Sequence, residues 1–436
     1  MPDSAAIDSP PRPRPLDAAA EAVRPSSGAA AALLREHVVE AWFPRCIDAD
    51  HGGYLMDFDR QWRPVGAQEK GAETQARQAR TAAELAELFQ DEALHQAALH
   101  GWRHLSQTMW DSRHGGWFHR TSRGGEPLEA RSKHAHGLAY GISACAVLHA
   151  TSRVEGALEL AKEGFAWLEA HAHDAEHGGY FGMLADDGTA VRRPSENPIG
   201  GPHDTIGTPV ELKDLNVHSD LIDTFTSLYR VWPDPLVEQR LREVVDIVFR
   251  RSRLPGGTSA YFWFPDFRPA PHLVRYGYAC HAAIRLYAAR DLIGEPEQTV
   301  IDNARRMATA ALRLGWDRER NGVFLAGPAF PPLELDGRSL VVRLKSWWVQ
   351  FEALQAMLSL SLAAGQDEFR TLFRRQWDYV VRYLVDHERK GLYGEGLDTA
   401  EAGGEASMAQ AMLKGTFWKD ASHEARAWTD CMRLLA

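Results

Sequence analysis

Arginine, histidine, carboxylate and indole side chains recur at the starts of segments that otherwise carry apolar residues at helical spacing. The set comprises Arg77; His134 and His136; Asn216, His218 and Asp220; Tyr278 and His281; Lys345, Trp347, Trp348 and Glu352; and Trp418 and His423. Sugars present apolar C–H faces and many hydroxyls, so an indole platform with Asn, His, Arg and carboxylate groups around it is the chemistry a polyol requires. An imidazole beside a guanidinium could also move a proton alpha to a carbonyl and steady the resulting oxyanion. The competing readings are structural. Arg77 and His423 could be solvated groups, and Tyr278 and His281 packed residues. One of the paired tryptophans could be filler between helix layers, because neighbouring helical residues point about 100° apart.

The elements that must position these residues repeat. A Gly-aromatic signal occurs at His51-Gly52-Gly53-Tyr54, His114-Gly115-Gly116-Trp117, His177-Gly178-Gly179-Tyr180, Gly256-Gly257 before Tyr261, Asn321-Gly322-Val323-Phe324 and Lys390-Gly391-Leu392-Tyr393, at intervals of about 63 to 79 residues. Each signal lies between two helical patterns, which predicts helices near 29–43, 73–90, 93–110, 133–151, 154–172, 215–231, 236–250, 272–292, 296–315, 343–364, 367–386 and 414–434. The expected fold is all-α: an (α/α)6 barrel, a toroid of six helical hairpins, with short β-hairpins in the long loops at one end. Residues 29–436 are expected to form one catalytic domain, and the Pro-, Ala- and Ser-rich residues 1–28 a loose or disordered arm. The second helix of each pair is the more apolar and reads as the inner ring. All six inner N-termini then open into one mouth, where long loops gather and backbone N–H groups add a positive field.

Composition excludes several partners. Lys plus Arg number 49 against 59 Asp plus Glu, a formal charge of −10, and no basic stretch suits nucleic acid. Cys46, Cys145, Cys280 and Cys431 lack CxxC spacing and fit packed thiols in a reducing cytoplasm. No apolar run is long enough to span a bilayer, so no membrane partner is expected. The His171-Ala172-His173-Asp174-Ala175-Glu176-His177 stretch ends at a turn and has no helical HExxH frame, so it reads as a polar loop with no metal. Phosphate-binding glycine motifs are missing.

Taken together, the residues resemble the N-acylglucosamine 2-epimerase superfamily. The likeness covers nearly everything after residue 30, and five segments carry it. They are Lys70-Gly71 through Arg77; Lys213-Asp214-Leu215-Asn216-Val217-His218 with Leu228-Tyr229-Arg230-Val231-Trp232; Arg275-Tyr276-Gly277-Tyr278; Trp347-Trp348-Val349-Gln350 with Glu352-Ala353-Leu354; and Trp418-Lys419 through His423. The resemblance implies an (α/α)6 barrel that moves a proton at sugar C2 with no metal or organic cofactor. It places a catalytic histidine at His423, a substrate arginine at Arg77, an asparagine at Asn216 and paired tryptophans at Trp347 and Trp348. Three positions depart from the family pattern. The second catalytic histidine, in a Tyr-Gly-His-x-x-Glu motif, falls on Tyr278, and that motif's glutamate falls on His281. A third histidine falls on Asp220.

These residues yield an expectation and its rivals. His423, His281, Tyr278 and Asp220 are the expected proton carriers. Arg77, His136, Asn216, His218, Trp347, Trp348, Glu352 and Trp418 are the expected sugar contacts. Epimerisation wants bases on both faces of C2, whereas isomerisation can shuttle one proton on a single face, so losing a histidine favours an aldose–ketose isomerase on a free mannose-type hexose. His281, one turn beyond Tyr278, could replace the lost imidazole and restore an epimerase. A glycoside hydrolase or lyase, using Asp220 with Glu352 or Asp223, and a silent sugar-binding protein stay open. The chain is expected to act as a monomer or homodimer.

Overall fold

The computed structural model describes residues 24–363 and 367–436. Most of the expected N-terminal arm lies outside the described residues, and Ser27 and Gly28 already belong to the first helix, capped by the Ser26 side chain on Ala29 N. Twelve long helices alternate between two rings. The outer ring holds α1 (residues 27–46), α3 (92–109), α5 (Ala157–His171), α7 (235–251), α9 (Glu297–Gly315) and α11 (Asp367–Tyr383). The inner ring holds α2 (Ala72–Phe89), α4 (Ala135–Ser152), α6 (Leu215–Val231), α8 (Tyr276–Ala288), α10 (Trp347–Ala363) and α12 (Ser422–Leu434). Each inner helix packs on the next, and α12 returns to α2, so the ring closes; α1 packs on α12 and seals the last gap. The molecule is an (α/α)6 barrel.

The pattern of side chains explains the two layers. α11 buries one stripe, Phe369, Phe373, Gln376, Trp377 and Val380, as expected for a helix with one wet face. α4 and α10 are buried nearly all round. Small residues let inner helices approach closely. A Cβ on Gly137 would stand 3.1 Å from that of Ala72, and one on Gly141 would strike the Trp117 ring at 2.7 Å.

Short strands occur in the loops at the mouth, mostly pairing one loop with the next. Lys70–Gly71 pairs with Arg120–Thr121, Lys133–His134 with Met183–Leu184, Lys213–Asp214 with Phe262–Trp263, and Val274–Arg275 with Ala326–Gly327. The bridge Ser346–Glu395 continues the series and Phe58–Gly415 closes it. One local hairpin, Glu334–Leu335 with Arg338–Ser339, stands apart.

Each Gly-aromatic signal closes a turn that begins, in five repeats, with an aspartate. Asp48 N donates to Gly53 O at 3.0 Å, with equivalents at Asp111, Asp174, Asp317 and Asp386. Gly52 and Gly53, at φ of 76° and 65°, adopt the left-handed backbone this turn demands. Each aspartate binds a buried lysine two residues before an inner helix or, in the sixth repeat, in the equivalent strand. The pairs are Lys70–Asp48 at 3.0 Å, Lys133–Asp111 at 2.9 Å, Lys213–Asp174 at 2.7 Å, Lys345–Asp317 at 2.8 Å and Lys414–Asp386 at 2.6 Å. Lys345, grouped from the sequence with the mouth residues, is therefore a buried clamp held also by Asp398 at 2.7 Å. In the fourth repeat the bridge Arg253–Ser259 stands where Ile47–Tyr54 stands in the first. That register puts Leu254 and Val274 in place of the ion pair.

The sequence overextends the last helix. Residues 414–421 form a loop around buried Lys414 and Lys419, and the helix starts at Ser422. Two short helices, Leu397–Ala400 and Gly404–Ala411, were not expected. They lie in a segment with no helical period.

Candidate active site

Positions two and six of the inner helices lie one turn apart on the same face, and that face looks into the mouth. Position two supplies Glu73, His136, Asn216, Gly277, Trp348 and His423; position six supplies Arg77, Tyr140, Asp220, His281, Glu352 and Ala427. One side chain from each inner helix, taken in order, joins an alternating series of acids and imidazoles. Glu73 Oε2 lies 2.7 Å from His136 Nδ1, and His136 Nε2 lies 2.8 Å from Asp220 Oδ2. Asp220 Oδ1 lies 2.8 Å from His281 Nε2, and His281 Nδ1 lies 3.2 Å from Glu352 Oε2. Glu352 Oε1 then meets His423 Nδ1 at 2.6 Å. Arg77 closes the circle, pairing with Glu73 and placing Nη1 3.3 Å from His423 Nε2.

Proton positions follow from these contacts. Burial alone would lower the pKa of His136, but Glu73 and Asp220 at its two nitrogens raise it to about 10. His281 is likewise raised, because Glu352 and Asp220 outweigh burial. Each sits between two carboxylates, which favours the imidazolium: Nε2 bonds Asp220, and Nδ1 lies within ion-pair distance of Glu73 in one case and Glu352 in the other. His423 differs. Burial, with Arg77 and Arg426 nearby, lowers it despite its bond to Glu352. Glu352, drawn well below the carboxylate range by Arg426 and His281 against burial, can only accept. The His423 proton therefore sits on Nδ1, and the Nε2 lone pair, at the cavity, accepts from Arg77 Nη1 at 3.3 Å.

A cavity of about 230 Å³ opens at this face. Arg77, His136, Asn216, Asp220, Tyr278, His281, Trp347, Trp348, Trp418 and His423 all line it. Both tryptophans line the cavity, so neither is only filler between the helix layers. Trp348 lies between Tyr278, ring centroids 4.8 Å apart, and His423, 6.1 Å apart. Tyr278 stays a neutral phenol, since burial and Tyr261 push it well above its ordinary value. Trp418, 36% exposed, sits in the loop before α12.

Five expectations need correction. His218 does not reach the cavity. It occupies position four of α6, which points at the outer ring; Nδ1 bonds Asp214 O at 2.7 Å and Nε2 accepts from Tyr180 N at 3.0 Å. Gln75 and Gln350, at the same position of α2 and α10, brace their own turns in the same way. Glu352 lies behind the wall, clamped by His423, His281 and Arg426, and positions His423 from there. His281 is poorly placed to stand in for a lost base, because Nε2 bonds Asp220 at 2.8 Å and Nδ1 lies 3.2 Å from Glu352 Oε2. Asp220 lies well below the carboxylate range, since His281 and His136 overcome burial, and its oxygens serve His136, His281 and Tyr140. His134 also faces away from the cavity, capping α4 through Nδ1 and bonding Asp204 at 3.0 Å.

The sequence reading missed Glu73, Tyr140, Ile206, Tyr261 and Arg275, which also line the cavity. Glu73 and Tyr140 were findable from the two-and-six register. Ile206, Tyr261 and Arg275 come from loops and a helix start, where no periodicity marks a facing residue.

The fold and this rim define an (α/α)6-barrel enzyme with acid–base groups at its mouth. The N-acylglucosamine 2-epimerase (GlcNAc 2-epimerase) family model matches residues 283–413. The chain is 24% identical over 407 residues to the cellobiose 2-epimerase of Bacteroides fragilis, covering 92% of this chain and 96% of that one. It is 23% identical over 301 residues to the D-mannose isomerase of Thermobifida fusca, covering 66% and 68%. The solved structure of cellobiose 2-epimerase from Spirochaeta thermophila aligns with a TM-score of 0.79 at 24% identity, over 97% of this chain and 99% of that one. Over residues 283–413 the chain is thus similar to the N-acylglucosamine 2-epimerase family, and its fold is that of the solved cellobiose 2-epimerase.

Proposed function

We propose that this enzyme, one of the sugar epimerases and isomerases, is an aldose–ketose isomerase acting on a free hexose of mannose type, needing no metal or organic cofactor. One observation carries the reading. Of the three imidazoles that line the cavity, His423 is the one whose pKa is lowered, which leaves Nε2 unprotonated; His136 and His281 are shifted upward, each held between two carboxylates. One base can work one face of C2, and that suits transfer of a proton from C2 to C1.

In this mechanism His423 Nε2 takes the C2 proton of the open-chain aldose, and the electrons of that bond form the C1–C2 double bond of an enediolate. Arg77, fixed by Glu73 and by Asp420 at 2.8 Å, stabilises the developing oxyanion. The imidazolium returns its proton to C1. The O2 proton passes to O1, and Tyr278 is the neutral acid in the wall suited to relay it. Glu352 holds the His423 tautomer throughout, as the carboxylate of a triad holds its histidine.

The hydrolytic alternative finds no support at the expected pairs. Glycoside hydrolysis needs one protonated carboxyl group facing another carboxylate. Glu352 is behind the wall, and Asp223 is committed to Arg80 at 2.5 Å and Arg285 at 3.4 Å.

The test is NMR of mannose, fructose, glucose, lyxose and cellobiose incubated with the enzyme in heavy water. Conversion of mannose to fructose is expected, with deuterium at C1 only to the extent that the His423 imidazolium exchanges with solvent before it returns the proton. Absence of both conversion and C2 exchange in every sugar would refute proton transfer, and conversion of an aldose only to its C2 epimer would refute the isomerase.

A further inference from the structure

The cations in and directly beneath the wall are matched with carboxylates, save one. Arg77, His136, His281 and Arg426 meet Glu73, Asp420, Asp220 and Glu352, each cation within ion-pair distance of at least one of the four. His423 is neutral. This set therefore carries no net charge and offers nothing to a charged ligand beyond the developing enediolate.

Arg275 is the exception. It lines the same cavity, half-buried, with Cζ 4.6 Å from the centroid of the Tyr261 ring. No carboxylate of the described residues forms an ion pair with it, and the ring contact is what holds its guanidinium. The strand that carries it explains the freedom. Other repeats place a lysine at the first strand position and lock it onto the turn aspartate. The fourth repeat has Val274 and Leu254 at those places, and puts its cation one residue later. Because successive strand residues alternate sides, the shift moves the charge off the packed side.

We propose that Arg275 is a specificity-determining residue that binds an oxyanion on the substrate, so that the hexose carries a carboxylate or phosphate group away from C1 and C2. This rests on the sugar reading of the site and narrows its substrate class. A guanidinium presents a planar fork of N–H donors matched to such groups, and stacking on Tyr261 holds that fork in place. With the surrounding charges already matched, the anion supplies the partner that the protein withholds. A neutral hexose would leave Arg275 unpaired in the wall.

The test compares mannose, mannuronate and mannose 6-phosphate for binding by calorimetry and for C2 exchange by NMR, with the wild-type chain, Arg275→Gln and Arg275→Lys. At least one anionic sugar is expected to bind the wild type about tenfold or more tighter than mannose, about 1.4 kcal/mol. Which of the two it is separates a carboxylate from a phosphate site. Arg275→Gln should abolish the anionic-to-neutral ratio, and Arg275→Lys should keep part of it as a point charge. Equal binding of neutral and anionic sugars by the wild type, or a preference that survives Arg275→Gln, overturns the proposal. Exchange on mannose with no anionic preference removes this inference and leaves the isomerase. A preference lost in Arg275→Gln, with no exchange on any sugar, supports the inference and removes the isomerase.

Discussion

At the scale of single residues, the chemistry depends on one imidazole being neutral while two near it are charged. His423 must be unprotonated to act, and its pKa lies below 6.5 because burial, Arg77 and Arg426 disfavour the cation. Turnover should therefore hold steady from pH 8 to 7 and fall on acidification, with the midpoint of the acid limb below 6.5. A kcat/KM profile checks this. Glu352→Gln removes the charge that favours protonated His423, so the limb should move to still lower pH. kcat should also drop, because the tautomer is no longer fixed. His423→Ala should cost about 10²–10⁴-fold in kcat and leave the fold intact by circular dichroism. Much of this was legible in the sequence: Arg77, His423 and the paired tryptophans were found because such types are odd at the starts of apolar helices. The protonation states were not, because they depend on partners distant in the chain: His281 and Asp220 are 61 residues apart, His136 and Asp220 84, and Arg77 and His423 346.

At the scale of elements, the buried Lys–Asp clamps tie the start of an inner helix to the turn that precedes it. Lys133 and Asp111 are 0% and 2% exposed, so removing either leaves a bare charge in the interior. Lys133→Met alone is predicted to cost about 3–5 kcal/mol of stability, whereas the double change Asp111→Leu with Lys133→Val, which copies the fourth repeat, should cost far less. Chemical denaturation of both variants measures the difference. The Gly-aromatic half of this turn was readable because glycine and aromatics punctuate a sequence. Its ionic half was hidden, since lysine and aspartate are normally surface residues and nothing local marks them as buried. His218 was misplaced for a related reason: position four of a helix looks like its neighbours in the sequence, yet it faces the other ring.

At the scale of the whole molecule, the barrel is a closed circle in which α1, with Leu33, Leu34, Val38 and Trp42 buried, packs on α12. Deleting residues 24–46 should abolish cooperative melting instead of merely lowering the midpoint, because the last inner helix would lose its outer partner. Closure also sets the response to acid. Burial is the main cause that holds His37 near about 4 and His104 and His218 near about 3. The unfolded chain binds protons at these sites from 6.5 downward while the native protein does not, so stability should fall as pH drops through 6 and 5, by about 1.4 kcal/mol per histidine per pH unit. His136 runs the other way: its folded pKa near about 10 exceeds 6.5, so its contribution is complete below 6.5 and fades toward pH 10. Melting temperature should therefore peak close to neutrality.

The circular count of helices followed from the period of one turn signal, but the acid–imidazole series running through all six inner helices exists only once the circle is closed. Nitrogen-15 NMR of the histidine rings, assigned by single His→Asn variants, tests that series directly. At pH 7 His423 should show one protonated and one bare nitrogen and His136 two protonated nitrogens, and His281 should stay doubly protonated to higher pH than His423. A doubly protonated His423 at pH 7, or a His281 that loses its proton before His423 does, would contradict the single-base account.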